Sequence, residues 1–282
     1  MAFFYRLSVL VFLITFAAVQ GLAQSQSHST APYLIFKTTY AFPASSLKID
    51  EAVATVNKRT FTQGVYGSYG KGLNLSLGVG KMLNPTFGVE LNAQLLLGSA
   101  LTTTYSSDAD STSGSVSSRV RGVILKPFIV VRNSGDLLSI YTKLGLAIVT
   151  YARRYEQLDL QTIIDNSDYH LSTEATDISK PKVGFAACFG LSFRISESIS
   201  LFVEANGQIL SLPITKGHYT KYTLNGKDGL PTMKTSEKSW VYERSTTSDP
   251  NAQANDSKPG VQLYDPAYLS NVGVGAGFIY HF

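Results

Sequence analysis

Hydrophobic and polar side chains alternate residue by residue in the long apolar segments of this chain. In one such segment, Phe87 and Val89 occupy one set of positions, whereas Gly88, Glu90 and Asn92 occupy the other. Side chains of a β-strand point alternately to opposite faces of the sheet. The pattern therefore predicts a strand with one apolar face and one polar face.

Segments of this kind recur along the chain, and several reach the roughly 9–11 residues that a tilted strand needs to cross a bilayer. Turn-forming and polar residues separate them. We predict eight strands, at residues 33–43, 69–83, 86–104, 118–133, 137–155, 181–196, 199–215 and 268–282.

The connections between these segments alternate between short and long. The sequences LNPT, RNSGD and SES make short turns, and the long polar connections are residues 44–68, 105–117, 156–180 and 216–267. This asymmetry is typical of outer-membrane β-barrels, which have short periplasmic turns and long extracellular loops. The predicted fold is therefore all-β: a closed, antiparallel, up-and-down transmembrane β-barrel of eight strands.

The final segment, VGVGAGFIYHF, indicates which face meets lipid. Lipid offers the backbone no hydrogen-bond partners, so strands cross only as a closed barrel, and the last strand must pair with the first. Its apolar positions, such as Val272 and Val274, then face lipid, and Gly273, Gly275 and Gly277 line the interior. The alternative is an exported soluble barrel of the lipocalin type, whose apolar side faces inward.

The amino end has the features of a secretory signal peptide. Arg6 precedes an apolar run, and the small residue Ala23 precedes Gln24. We expect Sec-type export with cleavage after Ala23; an uncleaved anchor is the alternative. The predicted domains are a signal peptide at 1–23, an N-terminal tail at 24–32 and the barrel at 33–282.

Composition excludes some classes of function. A formal net charge of +4 is too small to indicate a nucleic-acid partner. The single cysteine, Cys188, excludes an intramolecular disulfide framework. A mean hydropathy of +0.05 is compatible with a transmembrane barrel, because alternating apolar and polar positions average out.

The chain resembles the small eight-stranded outer-membrane barrels of Gram-negative bacteria, either OmpX-like or an OmpA-type barrel without a peptidoglycan-binding domain. The resemblance covers residues 33–282 and rests on the pattern, the loop asymmetry and the final FIYHF. It implies that Phe278, Tyr280 and Phe282 form a C-terminal signal read by the barrel-assembly machinery. The long loops resemble barrels of the Bacteroidota, and a monomer is expected.

An eight-stranded barrel is just wide enough to be filled by side chains. Alternation places six charged residues inside: Lys37, Glu90, Lys126, Lys143, Arg194 and Glu204. Charges at such depth should be paired, because isolated charges are costly to desolvate. The prediction is a plug of ion pairs; the alternative is a narrow, porin-like path for small solutes that favours anions.

Basic residues cluster at the predicted outer ends of strands four to six. Alternation places Arg119, Arg121 and Arg154 outward, and Arg153, Lys180 and Lys182 inward. Arginine side chains suit phosphate geometry, so we expect Arg119, Arg121 and Arg154 to contact the phosphates of lipopolysaccharide, besides general contacts with membrane lipid. Solvated strand ends are the equally weighted alternative.

The long loops give no strong chemical motif. The loop at 156–180 is acidic, but its spacing matches no EF-hand, and a solvated loop is the favoured interpretation. In the loop at 216–267, the segments HYTKYTLNG and KSWVYERS predict a hairpin of strand extensions above the membrane, with NGKDGLP at its turn. Trp240 and Tyr242 could bind a surface partner or pack within this hairpin. Only His218 is placed to act on an outer-leaflet substrate, so a lipid A-modifying enzyme is the less favoured function. We expect no catalytic residue, metal or cofactor.

Overall fold

The structure, a computed structural model, describes residues 31–44, 48–56, 59–107, 111–133, 137–164, 167–245 and 256–282. The predicted signal peptide and most of the predicted tail lie outside these residues. Strands dominate the described part of the chain. In chain order they are β1 (Pro32–Pro43), β2 (Lys48–Val56), β3 (Arg59–Tyr66), β4 (Gly72–Met82), β5 (Phe87–Leu96), β6 (Leu101–Ser107), β7 (Thr112–Asn133), β8 (Leu138–Ile164), β9 (Ser167–Ser179), β10 (Lys182–Arg194), β11 (Ile199–Ile209), β12 (Ser211–Leu212), β13 (Ile214–Leu224), β14 (Lys227–Asp228), β15 (Ser239–Glu243), β16 (Gly260–Leu263), β17 (Ala267–Tyr268) and β18 (Asn271–His281).

Within the described residues, helical structure is limited to short pieces between β14 and β15. A 3₁₀ turn covers Leu230–Thr232, and helix α1 covers Thr235–Lys238. No helix in the described ranges is long and apolar enough to cross a membrane.

Eight strands close into an antiparallel barrel, in the order β1, β4, β5, β7, β8, β10, β11 and β18. The closing pair joins the last strand to the first, with Lys37 opposite Gly277. The predicted all-β barrel of eight strands is therefore confirmed, and each strand falls within a predicted segment or overlaps it.

The short turns follow the predicted chemistry. Asn84 Oδ1 accepts hydrogen bonds from the backbone N–H groups of Thr86 and Phe87, at 2.9 and 2.8 Å. Ser196 Oγ accepts one from the N–H of Ile199 at 3.1 Å. Side chains that bond their own backbone in this way favour tight turns. The third turn, RNSGD, lies partly outside the described residues.

The predicted long loops are largely strands. In the loop at 216–267 the predicted strand extensions are present as β13 and β15, whereas the strands in the other long loops correct the sequence interpretation. Beyond the barrel, β7 and β8 extend together, and their extensions pair with β6 on one side and β9 on the other. The sheet continues through β2 and β3 beside β6, and through β13, β15 and β16 beside β9. We call this extension the upper sheet, and the end of the barrel that carries it the upper end.

A β-bulge lies where the barrel passes into the upper sheet. Val123 of β7 is opposite Tyr151, but the next residue, Ile124, is opposite Val149, so Thr150 is an extra residue in β8. One extra residue exchanges the two faces of a strand. Alternation counted from the lower part of β8 therefore gives the wrong face for every residue of β8 above Thr150.

The outer wall of the barrel is apolar. Leu144 is 61% exposed and Phe185 is 67% exposed. The same wall carries Phe36, Leu75, Leu77, Val89, Leu95, Ile129, Leu146, Phe189, Val203, Val274 and Phe278. Buried charges and amides lie on the inner wall, as described below. This distribution is the reverse of that in a soluble barrel.

Candidate functional site

The middle of the barrel interior holds a network of four charged side chains. Lys37 Nζ lies 2.6 Å from Glu204 Oε1, and Lys143 Nζ lies 2.7 Å from Glu90 Oε1. Lys143 also lies 3.5 Å from Glu204 Oε2, which joins the two pairs. All four side chains are at least 95% buried. Buried ions of this kind need both charge pairing and hydrogen bonds.

Neutral groups complete the hydrogen bonding of the two carboxylates. Tyr141 Oη donates to Glu204 Oε2 at 3.0 Å, and Tyr33 Oη donates to Glu90 Oε2 at 3.2 Å. Asn92 Nδ2 donates to Glu90 Oε1 at 2.6 Å. Each carboxylate therefore accepts bonds on both oxygens, and the network crosses the interior from β1 and β5 to β8 and β11.

The other two residues predicted for the lumen lie apart from this network. Lys126 is buried, and its Nζ donates to Gln94 Oε1 rather than to an acid. Arg194 is exposed at the lower end of β10. The prediction that Arg194 is a buried interior charge is therefore wrong. Because β10 ends at this residue, at the lower mouth of the barrel, the side chain is exposed to solvent.

An apolar layer fills the interior above the charges, and the sequence interpretation missed it. Ile124, Val149 and Leu96 point inward and are completely buried. Leu212 of β12 and Leu269, which directly follows β17, join the same cluster. These apolar side chains offer water and ions no hydrogen-bond partner.

A second apolar layer lies below the charges. It contains Tyr33, Ile35, Met82, Tyr141 and Phe202, all buried. The charged network therefore lies between two apolar layers.

Arg154 is at the centre of an ion cluster at the upper end. Its Nη2 lies 2.7 Å from Asp177 Oδ2, and its Nη1 pairs with Asp265. Trp240 Nε1 donates to Asp177 Oδ1 at 3.2 Å, and Arg154 Nη2 donates to Tyr242 Oη at 3.1 Å. The prediction that Arg154 faces outward is therefore corrected: the bulge at Thr150 turns it inward, where it is 5% exposed.

Burial and neighbouring charges shift the pKa values of three residues in and beside this cluster. Burial opposes the charged form of Arg154, but the Asp177 and Asp265 carboxylates outweigh it and raise the pKa of Arg154. Burial raises the pKa of Tyr242 to about 12. Burial also raises the pKa of Glu156, although Arg154 partly offsets the effect.

The remaining predicted lipid contacts do face outward. Arg119 and Arg121 of β7 are exposed, and Arg121 is directly opposite Arg153 of β8. The bulge turns Arg153 outward as it turns Arg154 inward. Lys180 and Lys182, expected inside, are exposed.

Searches for related proteins give weak structural similarities. The chain is similar in structure to Neisserial surface protein A (NspA), with a TM-score of 0.34, 11% identity, and 89% of this chain and 97% of that chain covered. It is also similar to CarO of Acinetobacter baumannii, with a TM-score of 0.29, 14% identity, and 74% and 92% covered. No family model and no curated protein matches. The barrel assignment rests on the strand pairings of this chain.

Two of the described histidines lie near a serine. His218 is exposed on β13, opposite Ser239 of β15. His281 Nε2 lies 3.1 Å from Ser200 Oγ at the lower mouth, but Ser200 is buried, whereas a nucleophile must be reachable. In the described ranges, no three His, Cys, Asp or Glu side chains are grouped to hold a metal ion.

Proposed function

We propose that this protein is a monomeric, integral outer-membrane β-barrel with a sealed lumen, and that its upper sheet is the functional surface. The observation that carries the proposal is the apolar outer wall. Isolated exposed apolar residues are ordinary, but a continuous apolar wall indicates contact with another apolar phase. A closed barrel satisfies its backbone internally, as a bilayer requires.

The filled interior favours a structural or surface role over transport. The Lys37–Glu204 and Lys143–Glu90 pairs occupy the centre, and apolar layers cover them above and below. A porin-like path needs a continuous polar channel, whereas small barrels are commonly filled by side chains. The structural role therefore ranks above the porin-like alternative.

The upper sheet provides a large surface outside the membrane for contact with a partner. Trp240, one of the predicted surface residues, is buried against Asp177 and lies 5.0 Å from Tyr219, ring to ring. It stabilises the sheet rather than binding a partner. Exposed candidates lie at the sheet edges instead, including Phe61 on β3 and Val261 on β16.

We base the proposed biogenesis on the resemblance to the small Gram-negative barrels. The long upper segments support an origin in the Bacteroidota. Phe278, Tyr280 and Phe282 all lie on the exposed face of the C-terminal segment, and Phe278 stacks on Phe36 across the closing pair at 4.7 Å. We propose that the assembly machinery reads this aromatic set after Sec-type export.

Membrane fractionation and gel migration test the proposal. We expect the protein in the detergent-soluble membrane fraction, with faster gel migration before boiling than after it. Planar-bilayer recording should show no steady conductance. Recovery of folded protein in the aqueous fraction would refute membrane insertion, and large, regular conductance steps would refute the sealed lumen.

The orientation of the barrel is tested separately in intact cells. In a Cys188→Ser background, Lys227→Cys on the upper sheet should react with a membrane-impermeant maleimide. The matched variant Glu197→Cys, in the lower turn between β10 and β11, should react only after the outer membrane is opened. The reverse order of labelling would contradict an extracellular upper sheet.

A further inference from the structure

Three arginines lie side by side on the outer surface where β7 and β8 leave the barrel. Arg121 is directly opposite Arg153, and Arg119, two residues further up β7, is opposite Tyr155. Arg119 and Arg121 are exposed, and Arg153 is half-buried. Like charges directly opposite each other destabilise a sheet. The arrangement is therefore unfavourable unless an anion lies between the arginines.

None of the three arginines takes part in an ion pair with another described residue. The nearest acid along β8 is Glu156, which is opposite Ser118 of β7. Above the bulge, Glu156 is on the same inner face as Ala152 and Arg154, away from the three outer arginines. Arg154, by contrast, has two acids. The bulge thus places Arg154 inside, where two carboxylates neutralise its charge, and leaves Arg153 outside with Arg119 and Arg121, where no described carboxylate does so.

Arg153 is held in place while one of its donors remains unused. Its guanidinium lies 5.3 Å from the centre of the Tyr151 ring. Such stacking holds an arginine while leaving the edge of its guanidinium free to bond. Arg153 Nε is buried and has no hydrogen-bond partner. A buried polar group without a partner is uncommon and needs an explanation.

The three arginines lie directly above the apolar outer wall of the barrel, and this position indicates what surrounds their guanidinium groups. Val123 of β7 and Ile148 of β8 lie on the outward face just below the arginines. Tyr151, directly opposite Val123, lies two residues below Arg153 on the same face. Aromatic residues are enriched at the membrane–water interface, so in an inserted barrel outward side chains just above Tyr151 would meet lipid headgroups.

We propose that Arg119, Arg121 and Arg153 bind phosphate groups of lipid A in the outer leaflet. The guanidinium fork binds phosphate through two parallel hydrogen bonds. Phosphate between Arg121 and Arg153 removes the repulsion between their guanidinium groups. This inference rests on the proposed function, because the site needs an outer leaflet beside it.

The test compares two variants with equal losses of charge. The site variant carries Arg119→Gln, Arg121→Gln and Arg153→Gln. The control carries Lys216→Gln, Lys227→Gln and Lys258→Gln, which remove three exposed charges elsewhere on the upper part of the protein. Each purified protein is titrated in detergent with bisphosphorylated lipid A, with dephosphorylated lipid A and with inorganic phosphate.

We expect the native protein and the control to bind bisphosphorylated lipid A about equally, and the site variant at least about tenfold more weakly. Dephosphorylated lipid A should bind all three proteins equally weakly. Unchanged binding by the site variant, or an equal loss in the control, would overturn the proposal. So would inorganic phosphate binding as tightly as the lipid. Heat-modifiable migration of both variants separates this outcome from a failure of membrane insertion.

Discussion

Arg154 Nη2 lies 2.7 Å from Asp177 Oδ2, and this contact joins β8 to β9 just above the barrel. Arg154 also pairs with Asp265, from the segment between β16 and β17. Gly217 packs against this arrangement, and a Cβ at Gly217 would lie 2.0 Å from Asp177 Oδ1. One buried cation thus connects distant parts of the upper sheet to the barrel wall.

Removing Asp177 should be strongly destabilising. Asp177→Ala leaves the buried Arg154 with only the half-exposed Asp265, and breaking a buried pair costs about 3–5 kcal/mol. The control is Glu174→Ala, which removes an exposed partner 3.8 Å from Lys221 and should cost about 1 kcal/mol or less. Urea unfolding followed by circular dichroism measures both, and equal midpoints would contradict the role given to Arg154.

Glu156 should make stability depend on pH. Because burial raises its pKa in the folded protein, folding favours the protonated form. Below its ordinary pKa both states are protonated and the group costs nothing; the cost develops as pH rises above that value. Glu156→Gln should therefore raise the melting temperature at pH 8 and leave it unchanged at pH 3.5, relative to the native protein. The exposed Glu243→Gln is the control, and a variant less stable at pH 8 would disprove this account.

Lys126 and Glu204 should respond differently to substitution. Glu204→Gln leaves Lys37 and Lys143 with a single acid, Glu90, at a cost of about 3–5 kcal/mol. Lys126 forms no ion pair with another described residue, and Lys126→Met replaces its ammonium by an apolar chain of similar length. The change removes an unpaired buried charge but leaves Gln94 Oε1 without its donor, so it should cost no more than about 1–3 kcal/mol. Thermal unfolding in detergent compares them, and a larger loss from Lys126→Met would show that the network is wrongly assigned.

Two glycines on the wall should tolerate a methyl group unequally. A Cβ on Gly277 would lie 1.9 Å from the carbonyl oxygen of Phe36 and 2.9 Å from Phe202 Cζ, whereas on Gly207 the nearest atom would be 3.7 Å away. Gly277→Ala should cost about 1–3 kcal/mol by overpacking, and Gly207→Ala should have little effect. The fraction of heat-modifiable barrel after refolding measures this, and equal yields would argue against tight closure of β18 on β1.

The alternation of side chains predicted the barrel because lipid and interior impose opposite demands on the two faces of each strand. It also identified the strands that hold Lys37, Glu90, Lys143 and Glu204. It failed for Arg153 and Arg154, because the bulge at Thr150 has no signal in the local sequence. Alternation counts residues, and a single extra residue reverses the result.

The inner apolar layer was missed for a different reason. On β7, Ile124 points inward and Leu125 outward, so the pattern is apolar on both faces and gives no direction. The upper sheet was predicted only in part, through the strand extensions in the loop at 216–267. Its other strands were missed because those such as β9 are polar on both faces and resemble loops. Contacts between strands, rather than the composition of either strand, decide such cases.

The side of the wall that meets hydrocarbon is tested most directly by spin labels. In a Cys188→Ser background, cysteines are placed at Leu144 and Phe189 on the outer wall and at Lys227 on the upper sheet, and the protein is reconstituted in vesicles. We predict that labels at Leu144 and Phe189 collide mainly with oxygen, which concentrates in lipid, and that the label at Lys227 collides mainly with a water-soluble nickel complex. Preferential collision of the Leu144 and Phe189 labels with the nickel complex would contradict the account.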